Sequence, residues 1–402
     1  MGQPLYDVFF IIGAIIILGF ITSQIFERTK FSNVILLMSA GMLLGPVLKI
    51  VTIEGPISVL APYIGTLALI IILFEGGLNL NLFKVLTSLA KASGFAVLVI
   101  SLSIVFLGIL MHLIFGWTYL EGLLLGAVLG GTSEAIVIPF ISKLTMNEDS
   151  KVILTLESTL TNPLCVIVAL ALIEIISTGT VNLRNTASLL ASAFSIGMVV
   201  AAIFAIFWIG IINKLYMKQV GYSMTIAMVF ILYSFVEAVG GNGATAILVF
   251  ALLLGNFNEL AKRLNLKGEF ALDTTLRVFH GEVSFFVRTF FFIFVGLMFN
   301  IEALNSKALT MALAVFIVLI ITRILGIKAL IMTDKTIAPF EKSILSMMPR
   351  GLSASVLALM TLSAGIQIPY FAEIVFSIII LTNLATTFSV FIIERKKLHG
   401  VL

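Results

Sequence analysis

Along most of this chain apolar positions do not alternate with polar ones; they run on in blocks, broken by charges or by Gly, Pro and Asn. A bilayer core about 30 Å thick is crossed by about 20 apolar helical residues. The blocks therefore predict membrane-spanning helices. Thirteen are expected, at 6–26, 32–48, 56–78, 92–115, 119–143, 150–176, 187–213, 219–239, 242–257, 272–300, 308–331, 342–364 and 370–393, with short linkers throughout. The first run, Val8 to Phe26, lacks a basic leader and reads as a retained helix rather than a cleaved signal. The predicted fold is an all-α polytopic membrane protein of one membrane domain, with no soluble regulatory domain expected after Glu394-Arg395-Lys396-Lys397.

Two of these blocks are poor continuous helices. The fifth is interrupted by Gly130-Gly131 and Glu134, and the twelfth by Pro349-Arg350-Gly351. Spans broken by Gly or Pro in both halves of a chain are the best sequence pointer to a transporter site at the membrane midplane, built from inverted repeats. Freed backbone groups are tolerated at that depth only where they line a cavity or are buried in protein. Close helix packing through Gly is the plainer explanation.

Composition sharpens the class. Of 402 residues 60% are hydrophobic and 11% charged, with mean hydropathy +1.20; a soluble domain carries about 25% charge, so a water-soluble globule is excluded. One cysteine, Cys165, and three histidines leave no disulfide framework and no Cys/His cluster for a metal. The sequence contains no HExxH helix and no GxxxxGK[ST] loop. Neither an enzyme nor an ATP-driven pump is expected, no cofactor is implied, and no basic cluster suggests nucleic acid. The partners expected are small ions and membrane lipid.

Orientation follows from the basic residues near helix ends, which are retained on the cytoplasmic side. Sixteen follow odd-numbered spans: Arg28, Lys30, Lys84, Lys91, Lys143, Lys151, Lys214, Lys218, Lys262, Arg263, Lys267, Lys335, Lys342, Arg395, Lys396 and Lys397. Only Lys49, Arg184 and Lys307 follow even-numbered ones. The N-terminus is expected outside and the C-terminus in the cytoplasm of the cell membrane.

Candidate chemistry concentrates between Gly130 and Pro163, where Thr132, Ser133, Glu134, Glu157, Ser158, Thr161 and Asn162 interrupt apolar sequence. A carboxylate at bilayer depth costs roughly 2.5 to 3.5 kcal/mol on insertion scales, so it marks ion or proton work and needs a partner. On a helix Glu157 and Thr161 form one stripe and Ser158 and Asn162 its neighbour. The cations available at depth are Arg288, Arg323 and Arg350, with Arg323 the most deeply set; a purely structural ion pair with Glu157 is the plain alternative. Glu75 closes the third span in LILFEGGLNLNLF, either at the membrane boundary or in the site.

With these residues in view the chain resembles the cation:proton antiporter superfamily, and within it the NhaP-like sodium/proton exchangers. The likeness runs in order through LFEGGLNLNL, GGTSEAIVIP, ESTLTNP, GNGATAILVFALLLGN, RTFFFIFVGL, ITRILG and PRGLSASVLAL. It implies thirteen helices in inverted repeats, broken fifth and twelfth helices that cross at the ion site, and elevator-like alternating access by a homodimer. The core domain would be helices about 92–176 and 308–393, and the dimerisation scaffold about 6–78 and 187–300. By position, Na+ (or K+) would lie among Glu75, Thr132, Glu134, Ser158 and Asn162, with Ser133 and Thr161 beside it. Glu157 would pair with Arg323, and Arg350 would stand at the second break.

Two departures from the family pattern change the expected chemistry. The family usually shows Thr-Asp-Pro where this chain has Thr132-Ser133-Glu134, and Asn-Asp where it has Thr161-Asn162. Asn162 can offer a carbonyl oxygen to a cation but cannot exchange a proton near neutral pH. Exchange rests on a carboxylate that binds either a proton or a cation, a role that would pass here to Glu134, Glu75 or Glu157; the first expectation is Glu134, with Glu75 assisting. The alternatives are a monovalent-ion carrier or channel without proton coupling, and an altered substrate such as ammonium or an anion.

Overall fold

The computed structural model describes residues 5–29, 32–49, 56–79, 82–141, 144, 146–179, 183–212, 218–258, 274–299 and 305–398. All regular elements among them are helical. In order they are α1 (Leu5–Thr29), α2 (Asn33–Met42) continued by a π turn (Leu43–Val47), α3 (Pro56–Asn79), α4 (Leu82–Phe115), α5 (Tyr119–Leu129), α6 (Glu134–Ile141), α7 (Glu148–Thr178), α8 (Leu183–Ile212), α9 (Lys218–Ala238), α10 (Gly243–Gly255), α11 (Thr274–Leu297) and α12 (Ser306–Thr333). A 3₁₀ segment (Lys335–Phe340), α13 (Glu341–Ser346), α14 (Leu352–Ser363) and α15 (Phe371–Leu398) follow. With α5 and α6, and α13 and α14, each taken as one interrupted crossing, the elements follow the thirteen expected blocks in order. Among the described residues six helices are long and apolar enough to cross a membrane alone. The two interrupted crossings contribute shorter apolar pieces, Tyr119–Leu129 and Leu352–Ser363.

Boundaries differ in three places. The fourth helix starts at Leu82 rather than near 92, because LFKVLTSLAK contains no Gly or Pro to stop it, so Lys84 and Lys91 ride on the helix rather than in a loop. The last helix likewise runs on through Arg395, Lys396 and Lys397. The twelfth block enters through a 3₁₀ segment containing Pro339, and its first α-helical piece is only six residues long. Of the basic residues used for orientation, Lys30, Lys143, Lys214, Lys262, Arg263 and Lys267 lie outside the described residues.

The chain divides into two compact units: Met1–Gly65, Ala90–Ser177 and Arg288–Leu402 form one, and Thr66–Leu89 with Thr178–Val287 the other. Packing thus joins both expected core segments with residues 1–65 in a single unit.

In the first unit helices approach through small residues, as membrane helices do when no hydrophobic drive separates lipid from protein. A Cβ on Gly41 of α2 would collide with the Ile293 carbonyl of α11, and one on Gly296 with the Met38 carbonyl. On α12 the buried face is Leu319, Thr322, Arg323, Gly326 and Leu330, a helical stripe. Opposite it on α4, Val99 and Phe95 close over Gly326, and Ser103 Oγ lies 3.3 Å from Thr322 Oγ1. The stripe carries an arginine into the interior. At its end Asp334 accepts from Lys91 Nζ at 2.7 Å and, with its other oxygen, from the Thr336 amide and hydroxyl. These bonds, that from Lys91 foremost, hold the Asp334 carboxyl down at about 2.

The second unit is tied at its helix ends by side chains. Asn242 Oδ1 accepts from the Thr245 amide at 2.8 Å to cap α10, while Glu237 accepts from the Gly243 amide at 2.7 Å. At the other end of α10, Asn256 Oδ1 accepts from the Leu82 amide at 2.9 Å. The two asparagines bounding GNGATAILVFALLLGN therefore bind helix termini. On α8, Val199, Ile203, Ile206 and Phe207 are exposed and make one apolar face.

Candidate functional site

Both interrupted crossings lie in the first unit, and their gaps meet. Helix α5 stops at Leu129, with Gly130 as its last αR residue, and α6 restarts at Glu134. Ser133 stands where α6 begins: its carbonyl accepts from the amides of Ile136 at 3.1 Å and Val137 at 2.9 Å. Its own amide points away from that helix and donates to the Pro349 carbonyl, in the gap between α13 and α14, at 2.8 Å. The two interruptions are thus hydrogen-bonded to each other through the backbone. Gly351, which opens α14, packs so closely that a Cβ there would stand 2.5 Å from Ser133 Oγ and 2.8 Å from its Cβ. Both helix starts bring partial positive charge to one place; Glu134, half-buried in the first turn of α6, carries the compensating sign.

Unpaired backbone groups at this depth each cost several kcal/mol, and most backbone groups of the gap from Met347 to Gly351 find partners on neighbouring elements. Met347 and Met348 donate their amides to Ile344 and Ser346 carbonyls at 3.2 and 3.1 Å. Pro349 has no amide to satisfy. The Arg350 amide donates to Thr382 Oγ1 at 3.0 Å, and the Arg350 carbonyl accepts from Asn383 Nδ2 at 2.7 Å. Asn383 also accepts from Ser32 Oγ at 3.0 Å, which links α2, α15 and the gap. The Gly351 carbonyl accepts from the Ser355 amide at 3.2 Å.

Helix α7 supplies the polar floor. Its periodicity puts Glu157 and Thr161 on one line, and that line faces Thr132. The Thr132 amide donates to Thr161 Oγ1 at 3.1 Å, and Thr132 Oγ1 donates to Glu157 Oε1 at 3.1 Å. Gly131 is held against the same face, where a Cβ would stand 3.0 Å from Cys165 Sγ. Thr161 in turn donates to the Ser158 carbonyl, and Ser158 Oγ to the Thr155 carbonyl at 3.0 Å. Thr132, Ser133, Glu157, Ser158, Thr161 and Asn162 are all buried.

The ion pair across the site is complete. Arg323 and Glu157 are both fully buried, and Arg323 donates from Nη1 to Oε1 at 2.8 Å and from Nη2 to Oε2 at 3.1 Å. Such a two-pronged contact matches guanidinium to carboxylate geometry. The same Nη2 also donates to the Met347 carbonyl at 2.7 Å and that of Ile344 at 3.3 Å. A cation therefore meets the partial negative charge where α13 ends, while the Phe95 ring lies 5.0 Å from the guanidinium carbon. Glu157 thus accepts from three donors, the Thr132 hydroxyl and two guanidinium nitrogens of Arg323.

Arg350 is also buried, yet its Nε and Nη1 have no hydrogen-bond partner among the described residues. Glu75 lies in the second unit, half-buried on α3, and accepts from Ser284 Oγ on α11.

Sequence reasoning missed Thr382, Asn383, Ser32 and Phe95. The first two were within reach, since Thr-Asn in IIILTNLATT breaks an apolar run just as the polar residues of α7 do. That Ser32 and Phe95 reach the same centre depends on helix packing.

Comparison with known proteins follows the same lines. The profile of the family described as sodium/hydrogen exchanger, transmembrane, matches residues 13–396. The chain is 25% identical over 260 residues to a K+/H+ antiporter NhaP2 of Shewanella sp. (strain MR-4), a match covering 62% of this chain and 44% of that protein. It is 22% identical over 303 residues to Na+/H+ antiporter 1 of Methanocaldococcus jannaschii, covering 73% and 69%. The chain thus spans less than half the length of the Shewanella relative. The structure of the sodium proton antiporter MjNhaP1 from M. jannaschii at pH 8 superposes with a TM-score of 0.81 at 20% identity, over 96% of this chain and all of that one, and so shares its fold. The chain, a multi-pass membrane protein, belongs to the sodium/hydrogen exchanger family.

Proposed function

We propose that this protein exchanges a monovalent cation, Na+ or K+, for protons by alternating access. The observation that supports this most is the backbone bond from Ser133 to Pro349. Two helices are interrupted at the same place, every gap group described above is satisfied from neighbouring elements, and hydroxyl and amide oxygens remain beside them. Unwound backbone at membrane depth makes sense where it holds an ion.

In this reading Thr132, Ser133, Ser158, Thr161 and Asn162 present neutral oxygens to the cation, and Glu134 at the start of α6 takes the proton. The Glu157–Arg323 pair is a fixed brace between α7 and α12. The helices within 92–176 and 308–393 move as the body that carries the crossing. The protein works as a homodimer in the cell membrane, N-terminus outside and C-terminus in the cytoplasm, as the distribution of basic residues suggests.

The test is cation-induced dequenching of a pH dye in proteoliposomes with an imposed pH gradient, run across Na+, K+, Li+ and NH4+. Glu134→Gln abolishes exchange in this reading; undiminished exchange removes it. Asn162→Asp restores the family's carboxylate and increases proton-coupled flux. Wild-type flux with no proton movement, joined by coupled flux in Asn162→Asp, would favour the uncoupled carrier, for which the neutral amide at 162 is the specific motive.

A further inference from the structure

A cleft of about 440 Å³ opens within the first unit, between the end of α14, the start of α15 and the residue that follows α11. Its size is that of a small-molecule site. Leu359 and Leu362 on α14 stand about 12–16 Å along the helix from Gly351, so the cleft is separate from the crossing. Its walls are of two kinds: Leu359, Leu362 and Met298 are aliphatic, while Tyr370, Phe371 and Phe376 are aromatic. Of the lining residues Glu373 alone carries a charge. Asp334, Glu157 and Glu341 each meet a lysine or arginine, at 2.7, 2.8 and 2.9 Å, whereas the lining brings Glu373 no basic side chain. The loop that shapes the cleft is held at both ends. The amides of Ala364, Gly365 and Ile366 bond back to the carbonyls of Met360, Leu362 and Thr361, and the Tyr370 carbonyl accepts from the Ile374 amide at 2.9 Å. Tyr370 sits at φ +63°, in the left-handed region that a large side chain rarely takes, and its hydroxyl accepts from Asn305 Nδ2 at 3.1 Å. A backbone of this kind persists only where its surroundings over-determine it, and it recurs at ligand clamps. Phe371 packs on Trp117, 6.3 Å between ring centroids.

We infer that this cleft binds a small organic cation of the methylated-ammonium class. Each part of the lining selects for it. The Glu373 carboxylate calls for positive charge and repels an anion. A neutral apolar molecule would strip water from that carboxylate and give it no counter-charge. Aromatic residues attract methylated ammonium groups, whose charge is spread over apolar methyls, and the same methyls gain by leaving water for Leu359, Leu362 and Met298. A bare alkali cation has no apolar surface for such walls to cover. Glu373 also lies in the first turn of α15, where a carboxylate balances the helix dipole. That role alone requires no cleft and no ligand, and the experiment separates the two.

The experiment titrates choline into the purified full-length chain carrying Trp208→Phe. Trp117 is then the one tryptophan left, and its fluorescence reports on Phe371 and the cleft, with calorimetry as the second readout. Choline binds saturably, and its neutral isostere with carbon in place of nitrogen binds about tenfold more weakly. Equal binding of the two, or no saturable binding of choline, overturns the inference. Glu373→Gln weakens choline about fivefold, and Glu373→Asp retains most of the affinity. Tyr370→Leu weakens it about threefold, while Tyr370→Phe, which keeps the ring, binds as wild type. A Glu373→Gln chain with a lower Tm and an unchanged choline midpoint shows the carboxylate serving α15 alone, and also overturns the inference. Should Glu373→Gln fail to fold, the comparison of the two isosteres decides without it. Glu134→Gln leaves the choline midpoint unchanged and Glu373→Gln leaves exchange unchanged, so the cleft and the crossing fail or stand separately. The same cation reaches the cleft free in solution or as a lipid headgroup. Titration in phosphatidylglycerol vesicles with and without phosphatidylcholine separates these sources: a midpoint raised by phosphatidylcholine assigns the cleft to the headgroup, and an unchanged one assigns it to the free cation.

Discussion

Replacing Arg323 by Leu tests the brace most severely. The guanidinium makes four hydrogen bonds: two to Glu157 and one each to the carbonyls of Ile344 and Met347. Removing it leaves a fully buried carboxylate with only the Thr132 hydroxyl as a donor, and it strips two helix-end carbonyls. Breaking a buried ion pair by removing one partner costs about 3–5 kcal/mol. At about 2 °C per kcal/mol for a large chain, Tm falls by about 6–10 °C. Glu157→Leu alone costs less, because Arg323 keeps its two carbonyl partners. The double variant Glu157→Leu/Arg323→Leu buries no charge and recovers part of the loss. It does not reach wild type, since the Ile344 and Met347 carbonyls stay unpaired at about 1–3 kcal/mol each. Thermal unfolding of detergent-purified protein, followed by the fraction remaining monodisperse, orders the four proteins as wild type, then Glu157→Leu and the double variant, then Arg323→Leu. Simple additivity, with the double variant at the sum of the two singles, would falsify the claim that these residues act as one unit.

Three other outcomes follow from the same geometry. Gly351→Ala places a Cβ against Ser133 and abolishes transport while the protein still inserts; Ser133→Gly in the same chain relieves the collision and restores a measurable rate, and failure of that rescue would disprove the close approach. Asn383→Leu leaves the Arg350 carbonyl unpaired at a cost of about 1–3 kcal/mol, seen as a lower Tm, whereas Asn383→Ala in a chain with Ser32→Ala adds little beyond Asn383→Ala alone. For Asp334 the sign runs one way: a folded carboxyl at about 2, below its ordinary 3.8, stabilises above the ordinary value and loses that contribution as pH falls towards 2. Between pH 5 and 9 Asp334→Asn therefore shifts stability evenly and leaves the pH profile of transport unchanged in shape; a changed shape would identify Asp334 as a pH sensor.

Much of this was legible in the chain because lipid is a harsh solvent. A residue such as Glu157 or Arg323 in a run of Leu, Ile and Val has no water to turn to, so its mere presence announces an internal partner, and Gly130-Gly131 and Pro349 announce where a helix stops. Hence thirteen blocks, two interruptions and the polar line on α7 followed from hydrophobic runs and helical spacing. What tertiary structure decided was pairing. Three buried or half-buried arginines were candidates for Glu157, and only the stripe on α12 that packs under Phe95 and Val99 aims Arg323 at it. The bond from the Ser133 amide to the Pro349 carbonyl and the clamp of Thr382 and Asn383 on Arg350 join residues far apart in sequence. Backbone groups carry no side-chain signature, so no sequence pattern could announce which carbonyl an orphaned amide would find. Burial dictated that each must find one, and the packing of α7, α12 and α15 chose which.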